Sequence, residues 1–371
     1  MDNINYHLII NKMEFTEYSN IKQFVRDKMG WELHNRENHP LSICKKMIHN
    51  YFTTLHNYEK FEIFDNISPV VSVENNFDRL LIPHDHPSRS KSDTYYVSED
   101  FVLRTHTSAH QYELLSAGHN NFLVTGDVFR KDEVNNTHYY VFHQMEGLAK
   151  VPDGKEPLVE LRAVLSGLVE HLFPGCEYRF YSQMFPFTHP SLEVEVKYNG
   201  TWLEILGCGI THEKIIQDSG REGTWWAFGI GLERICMILF GINDIRYFWS
   251  RDSRFYDQFI DNKVVKFKEF SHLPSEIKAV SFWINSGLTD GVWNMELDFM
   301  ELIRSVGGDW IESVKLKDTY TDKNGRYSRC YEIQFLPIDP SLTCPGKFKQ
   351  TCINMMDTIV DGLSDYDVVI R

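Results

Sequence analysis

No stretch of this 371-residue chain is apolar enough to cross a bilayer: the run Ile235 to Phe240 falls far short of the ~20 residues a membrane span needs. A soluble protein with no membrane partner is expected. Basic charge is scarce as well. Lys+Arg total 38 against 52 Asp+Glu, a net charge of −14, so the surface as a whole repels phosphate and any nucleic acid must be met through a local patch. Cysteines number seven, with no Cys-x-x-Cys pair, in a chain too long to need stapling; reduced thiols in an intracellular compartment are expected. The sequons at Asn66, Asn135 and Asn199 would matter only behind a signal peptide, which the polar start M-D-N-I-N-Y is not. The first 25 residues also lack arginine, unlike an intact mitochondrial presequence. Two nucleotide motifs are missing. There is no G-x-x-x-x-G-K-[ST], and Gly229-Ile230-Gly231-Leu232-Glu233-Arg234 puts Arg where a dinucleotide fingerprint has its third glycine.

The composition that remains, 42% hydrophobic and 24% charged, is that of a globular protein, and the length predicts two or three domains. Over residues 1–60, Leu41, Cys44, Met47, Ile48, Tyr51 and Phe52 fall at helical spacing behind Pro40, predicting a helical N-terminal extension leading into the core. From 61 to 257 short β-rich runs dominate: Phe122–Arg130, Thr137–His143, Glu193–Tyr198 and Trp202–Leu206, interrupted by helices over Leu158–Leu172 and Gly231–Phe240. Neighbouring β-runs joined by short polar loops predict an antiparallel sheet. Residues 258–272 read as a charged linker. Beyond, over 273–371, come strand Ala279–Ile284, helix Asn294–Val306, strand Ile311–Tyr320, an Asn324-Gly325 hairpin turn, strand Arg326–Leu336, helix Lys347–Val360 and strand Asp367–Ile370, which is the β-α-β-β-α-β order of a ferredoxin-like domain. The fold class is α+β.

Two stretches carry chemistry. Gly-x-Gly-x-Glu-Arg runs into the apolar helix 235–240; its glycines permit close backbone approach, and Arg234, held by the adjacent Glu233, offers a fork for phosphate, although an Arg–Glu pair capping a core helix would look the same. Gly126–Asp132, a polar loop and Thr137–Gly147 form a strand–loop–strand unit. Such a hairpin can gather Arg130, Asp132, His138 and Phe142 around one volume, and strand alternation sends Phe142, Gln144 and Glu146 to one face. An arginine for phosphate, an aromatic plane for a base, and a carboxamide and carboxylate for an ammonium make a coherent set; Phe142 alone would more often be core. Metal spacings are weak: His84-x-His86 and His106-x-x-x-His110 lack the third and fourth ligands that zinc wants. Cys208, between two glycines, reads as a small buried residue with no activating base in view.

F-R-x-D with its loop and second strand resembles motif 2 of the class II aminoacyl-tRNA synthetases, G-x-G-x-E-R resembles their motif 3, and Pro69 stands where motif 1 has its proline. The stretches His86–Arg89, Leu103–Gln111, His143–Gly147, Phe185–Thr188, Trp202–Gly209 and Trp226–Gly229 narrow the resemblance to phenylalanyl-tRNA synthetases, in their monomeric organellar form. It covers roughly residues 60–371. The resemblance implies a class II antiparallel-sheet catalytic core followed by an anticodon-binding domain, with L-phenylalanine, ATP, Mg²⁺ and tRNA(Phe) as partners and the mitochondrial matrix or another organelle as location. It implies Arg130 on the α-phosphate, Arg234 on the γ-phosphate, Asp132 on the adenine amino group, Phe142 stacked on the base, His138 near the phosphates and Glu204 as a Mg²⁺ ligand. His106, Ser108, Gln111, Gln144 and Glu146 would surround the ammonium and carboxylate of phenylalanine; Phe185 and Phe187 would wall the ring edge-to-face, and Ala227 would leave room at its end. No segment is left over for an editing domain, so tyrosine should leak through. The alternative is a non-catalytic RNA-binding paralogue. On the C-terminal unit, Tyr327, Arg329, Tyr331, Ile333 and Phe335 alternate onto one face, which reads either as an aromatic-basic platform for bases or as packing beneath helices.

Overall fold

The computed structural model describes residues 16–270, 275–338 and 345–371. The first fifteen residues of the expected extension, and residues 271–274 where the expected linker ends and the next unit begins, lie outside them.

Pro40 occupies the first helical position of α1 (Pro40–Thr53), where its missing N–H is no loss, and the His39 side chain accepts from the Leu41 N–H at 3.2 Å. Leu41, Cys44, Ile48 and Phe52 fall on one face and are buried. They join sheet residues such as Leu123, Met145 and Val194 in one hydrophobic cluster, so this stretch forms part of the wall of the core.

That core lies against a seven-stranded sheet. Its strands are β1 (Glu62–Phe64), β2 (Asn121–Phe129), β3 (Val141–Lys150), β4 (Tyr178–Phe185), β5 (Thr188–Tyr198), β6 (Thr201–Thr211) and β7 (Trp225–Gly231), in the order β1-β2-β3-β7-β6-β5-β4. All neighbours are antiparallel except β1 and β2. Helices α2 (Pro157–Leu172) and α3 (Leu232–Phe240) pack with α1 on one face; α3 ends on Gly241 in the left-handed region. One expected strand is corrected. Thr137–Tyr140 lies outside the ladder, and β3 starts only at Val141, because the Asn135 side chain accepts from the backbone N–H groups of Thr137 and His138 at 2.9 Å and closes a local turn before the ladder begins.

Residues 258–270, read as a linker, are laid down on the core. Phe267 and Phe270 pack with Tyr247, the Phe267 N–H donates to the Phe240 carbonyl at 2.7 Å, and the Lys266 ammonium covers the last carbonyls of α3. The C-terminal unit contains β8 (Glu276–Ile284), α4 (Glu296–Gly307), β9 (Ile311–Thr321), β10 (Tyr327–Phe335), α5 (Pro345–Gly362) and β11 (Val368–Ile370), with sheet order β9-β10-β8-β11 and every pairing antiparallel. The β9–β10 turn depends on Gly325 at φ +81°, and the Asp322 carboxylate accepts from the N–H groups of Asn324 and Arg326. Tyr331, Ile333 and Phe335 are buried with Phe299 and Ile303 of α4, and Arg329 is tied to Glu296 at 2.8 Å. That face of β10 is core, not a platform.

The unit sits on the loop after β2. Arg304 donates to the carbonyls of Asp132 and Glu133 while pairing with Glu301 at 2.8 Å; Lys131 pairs with Asp298 at 2.9 Å, and Tyr95 donates to Glu301.

Candidate active site

The glycines of β6 and β7 open a hollow on the sheet. Gly207 and Gly229 are cross-strand partners; a Cβ on Gly207 would come within 3.0 Å of the Phe185 ring, and one on Gly229 within 3.5 Å of a Glu146 carboxylate oxygen. Above them lies a cavity of about 610 Å³ whose walls combine the apolar Phe185, Phe187, Ala227 and Phe228 with the polar His106, Ser108 and Glu146. A second cavity of about 270 Å³ is lined by His138, Phe142 and Arg234. Arg130, Asp132, Gln144, Glu204 and Gly229 belong to both, so the two hollows share a wall.

Strand alternation places Phe142, Gln144 and Glu146 on one face, as their spacing predicts. Glu146 is buried, accepts from the Ser108 hydroxyl at 2.7 Å and is also held by the Gln111 amide. Burial pushes its carboxyl up to about 7, against the opposing pull of those two donors. Gln111 therefore acts behind Glu146 and does not line the cavity. Burial first, and Arg130 next, pull His106 down to about 3, which leaves a neutral ring in the wall; neither ring nitrogen has a partner among the described residues. Phe185 and Phe187 stack on each other, centroids 5.8 Å apart and planes 10° from parallel, so they line the slot as a pair. Phe228 lies behind Gly147, and Ala227 contributes a single methyl group to the cavity wall. Burial lifts the Cys208 thiol to about 12, so it is an inert part of the lining.

On the other side, the Arg130 Nε donates to the Thr105 carbonyl at 2.6 Å and its guanidinium lies 5.2 Å from the centre of the Phe142 ring. Arg234 is partly exposed; its Nη1 donates to the Glu204 carbonyl at 3.0 Å and lies 3.9 Å from the Glu204 carboxylate. Partial burial, then the neighbouring Glu193 carboxylate, raises the Glu204 carboxyl. A cation beside Glu204 would relieve that crowding, so the donor set suits a hard divalent ion. His138 is oriented by Asn135 at 2.9 Å, and Asp132 bends back to accept from the Glu133 N–H at 2.7 Å.

Every expected site residue thus lies at one of the two cavities or, for Gln111, one hydrogen bond behind. The partner expected for Arg234 is different. Glu233 turns inward and grips His143, accepting from its backbone N–H at 2.8 Å and its Nδ1 at 2.7 Å. Consecutive positions on a helix point about 100° apart, so although both residues border the second cavity, the Glu233 carboxylate is turned to His143 and the Arg234 guanidinium to Glu204. Glu193 in the cavity wall and the Thr105 carbonyl behind Arg130 were not foreseen; Glu193 reaches the wall through its pairing with Gly207 across β5 and β6, which residue spacing does not reveal. His84-x-His86 and His106-x-x-x-His110 do not form metal pairs. The His110 ring is engaged by Arg104 and Glu113, and His86 caps the turn at Ser88.

Comparison with known proteins agrees with this geometry. Residues 25–259 match the class II core domain of tRNA synthetases (F). The chain is 46% identical over 339 residues to the chloroplastic/mitochondrial phenylalanine--tRNA ligase of Arabidopsis thaliana, covering 88% of this chain and 77% of that protein. It is 40% identical to the mitochondrial phenylalanine--tRNA ligase of Mus musculus, with 88% and 81% covered, and 34% identical to that of Saccharomyces cerevisiae, with 91% and 90% covered. The chain belongs to the phenylalanine--tRNA ligases, within the class II tRNA synthetases.

Proposed function

We propose that this chain activates L-phenylalanine with ATP and transfers it to tRNA(Phe), in an organelle as the names of its relatives say of them, and that it acts as a monomer. The observation that carries the reading is the shared wall: a slot for a benzyl group and a hollow lined by two arginines meet at Arg130, Gln144 and Glu204. Ionised Glu146 pairs with the substrate ammonium, and Gln144 and neutral His106 hold its carboxylate toward Arg130. A carboxylate oxygen attacks the α-phosphorus and pyrophosphate leaves, giving a mixed anhydride. Arg130 offers its guanidinium to the charge that builds on the α-phosphate, and Arg234 holds the γ-phosphate. Phe142 stacks on adenine, Asp132 accepts from the adenine amino group, and His138 approaches the phosphates. Glu204 would hold Mg²⁺, which when bound would neutralise phosphate charge. In the second step the 2′-hydroxyl of the terminal tRNA ribose attacks the acyl carbon and AMP departs. The unit from 275 onward is read as the ferredoxin-like anticodon-binding domain.

Phenylalanine-dependent exchange of pyrophosphate into ATP without tRNA is the test. A ligase supports it; a non-catalytic RNA-binding paralogue shows none.

A further inference from the structure

On the reverse face of β2 and β3, directly beneath Gln144 and Glu146, lies a buried polar cluster that the proposed reaction does not use. Asp127 and His143 are cross-strand partners, and His34 comes over them from the short helical turn Leu33–Asn35. All three are at least 97% buried. His34 Nε2 lies 2.9 Å from the Asp65 carbonyl, which can only accept, so that nitrogen carries the proton. Its Nδ1 is therefore a bare lone pair, and it faces the Asp127 carboxylate at 3.6 Å, acceptor against acceptor. His143 donates its Nδ1–H to Glu233 and turns Nε2 toward the same Asp127 oxygen at 3.1 Å, out of line for a hydrogen bond. Both Asp127 oxygens and the two facing nitrogens lack hydrogen-bond partners among the described residues.

We propose that His34 Nδ1, His143 Nε2 and the Asp127 carboxylate bind a structural divalent transition-metal ion of the zinc class. The three ligand atoms lie within 4.8 Å of one another. Tetrahedral zinc with bonds of about 2.0–2.1 Å holds its ligand atoms roughly 3.3 Å apart, a value that falls between the two Asp127 distances. Each imidazole is oriented by an acceptor on its far side, a carbonyl for His34 and a carboxylate for His143, which is the arrangement that fixes the tautomer of metal-bound histidines. Charge points the same way. With both rings in the neutral form that ligates a metal, the buried carboxylates of Asp127 and Glu233 carry two negative charges, which a divalent ion cancels. Ligands spread from residue 34 to residue 143 leave no spacing for a motif search to find. The ion would pin the Leu33–Asn35 turn to the underside of the two strands that carry Arg130, Gln144 and Glu146.

The test uses the full chain without ATP or Mg²⁺. After chelator treatment and loading with zinc alone, gel-filtered protein should retain about one zinc per chain by mass spectrometry and melt several degrees higher than the stripped protein. His34→Gln and Asp127→Asn should each lower zinc retention at least about tenfold. Because such variants can misfold, wild-type protein loaded with Co²⁺ gives a second readout, the visible absorption of a tetrahedral nitrogen–oxygen site. Stripped and zinc-loaded wild type that melt alike and retain no metal would overturn the proposal, leaving a proton on His143 Nε2 as what holds the cluster together.

Discussion

The Ser108 hydroxyl donates to Glu146 Oε2 at 2.7 Å, and this donor holds a carboxyl whose burial has pushed it up to about 7. The group's ordinary value is 4.5. Between those two values the folded chain keeps a proton that the unfolded chain has lost, so the contribution of Glu146 to stability is full below about 4.5 and falls away as pH climbs through about 7. Substrate binding has the opposite slope, because only the carboxylate pairs with an ammonium. The KM for phenylalanine in pyrophosphate exchange is expected to fall as pH rises from about 6 to about 8, and Glu146→Gln should raise KM and flatten the profile. An unchanged profile in the variant would remove Glu146 from the ammonium site.

Arg130 is anchored by the Thr105 carbonyl and needs no reorganisation to meet a phosphate. Arg130→Ala should lower kcat for exchange by roughly 10²–10³ with a smaller change in the KM for ATP, since the lost interaction strengthens in the transition state. Lysine cannot reproduce the planar fork, so Arg130→Lys should recover only part of the loss. Equal activity in all three proteins would refute the assignment.

Phe185, Phe187, Ala227 and Phe228 form the apolar part of the cavity wall. An apolar pocket rejects an added hydroxyl by only about 100-fold. Tyrosine should therefore support exchange with kcat/KM about two orders of magnitude below that of phenylalanine, and Ala227→Val should shorten the slot and weaken both substrates. Discrimination beyond about 10⁴ in the activation step would overturn the reading of the ring site as apolar.

Arg304 joins the C-terminal unit to the loop after β2 through two carbonyls and the buried Glu301. Arg304→Ala leaves that carboxylate without its cation, which for a buried pair costs about 3–5 kcal/mol. A clear fall in melting temperature is expected, and Arg304→Lys should restore part of it. A melting temperature unmoved by Arg304→Ala would mean that the contact is absent in solution.

Local signals made much of this legible. Pro40 and the apolar face behind it, the Asn324-Gly325 turn and the alternation of Phe142, Gln144 and Glu146 each act within a few residues, and each is found where its spacing puts it. The start of β3 was misread because Tyr139-Tyr140-Val141-Phe142 has strong β-propensity, whereas the Asn135 side chain decides the backbone one turn earlier. The pairing of Glu233 with Arg234 was misread because adjacency along a chain is not adjacency on a helix. His34, Asp127 and His143 were invisible for a different reason: only strand pairing and the placement of the Leu33–Asn35 turn bring them together, and neither leaves a mark on spacing.

The common wall formed by Arg130, Asp132, Gln144, Glu204 and Gly229 has a pharmacological corollary. Because the two hollows lie on either side of the same five residues, a single rigid compound bearing a benzyl group at one end and adenosine at the other should reach both at once. It would lose translational and rotational freedom once where two fragments lose it twice, so its affinity should exceed the product expected from either half by orders of magnitude. Inhibitor design against this chain should therefore begin from the joint between the two hollows.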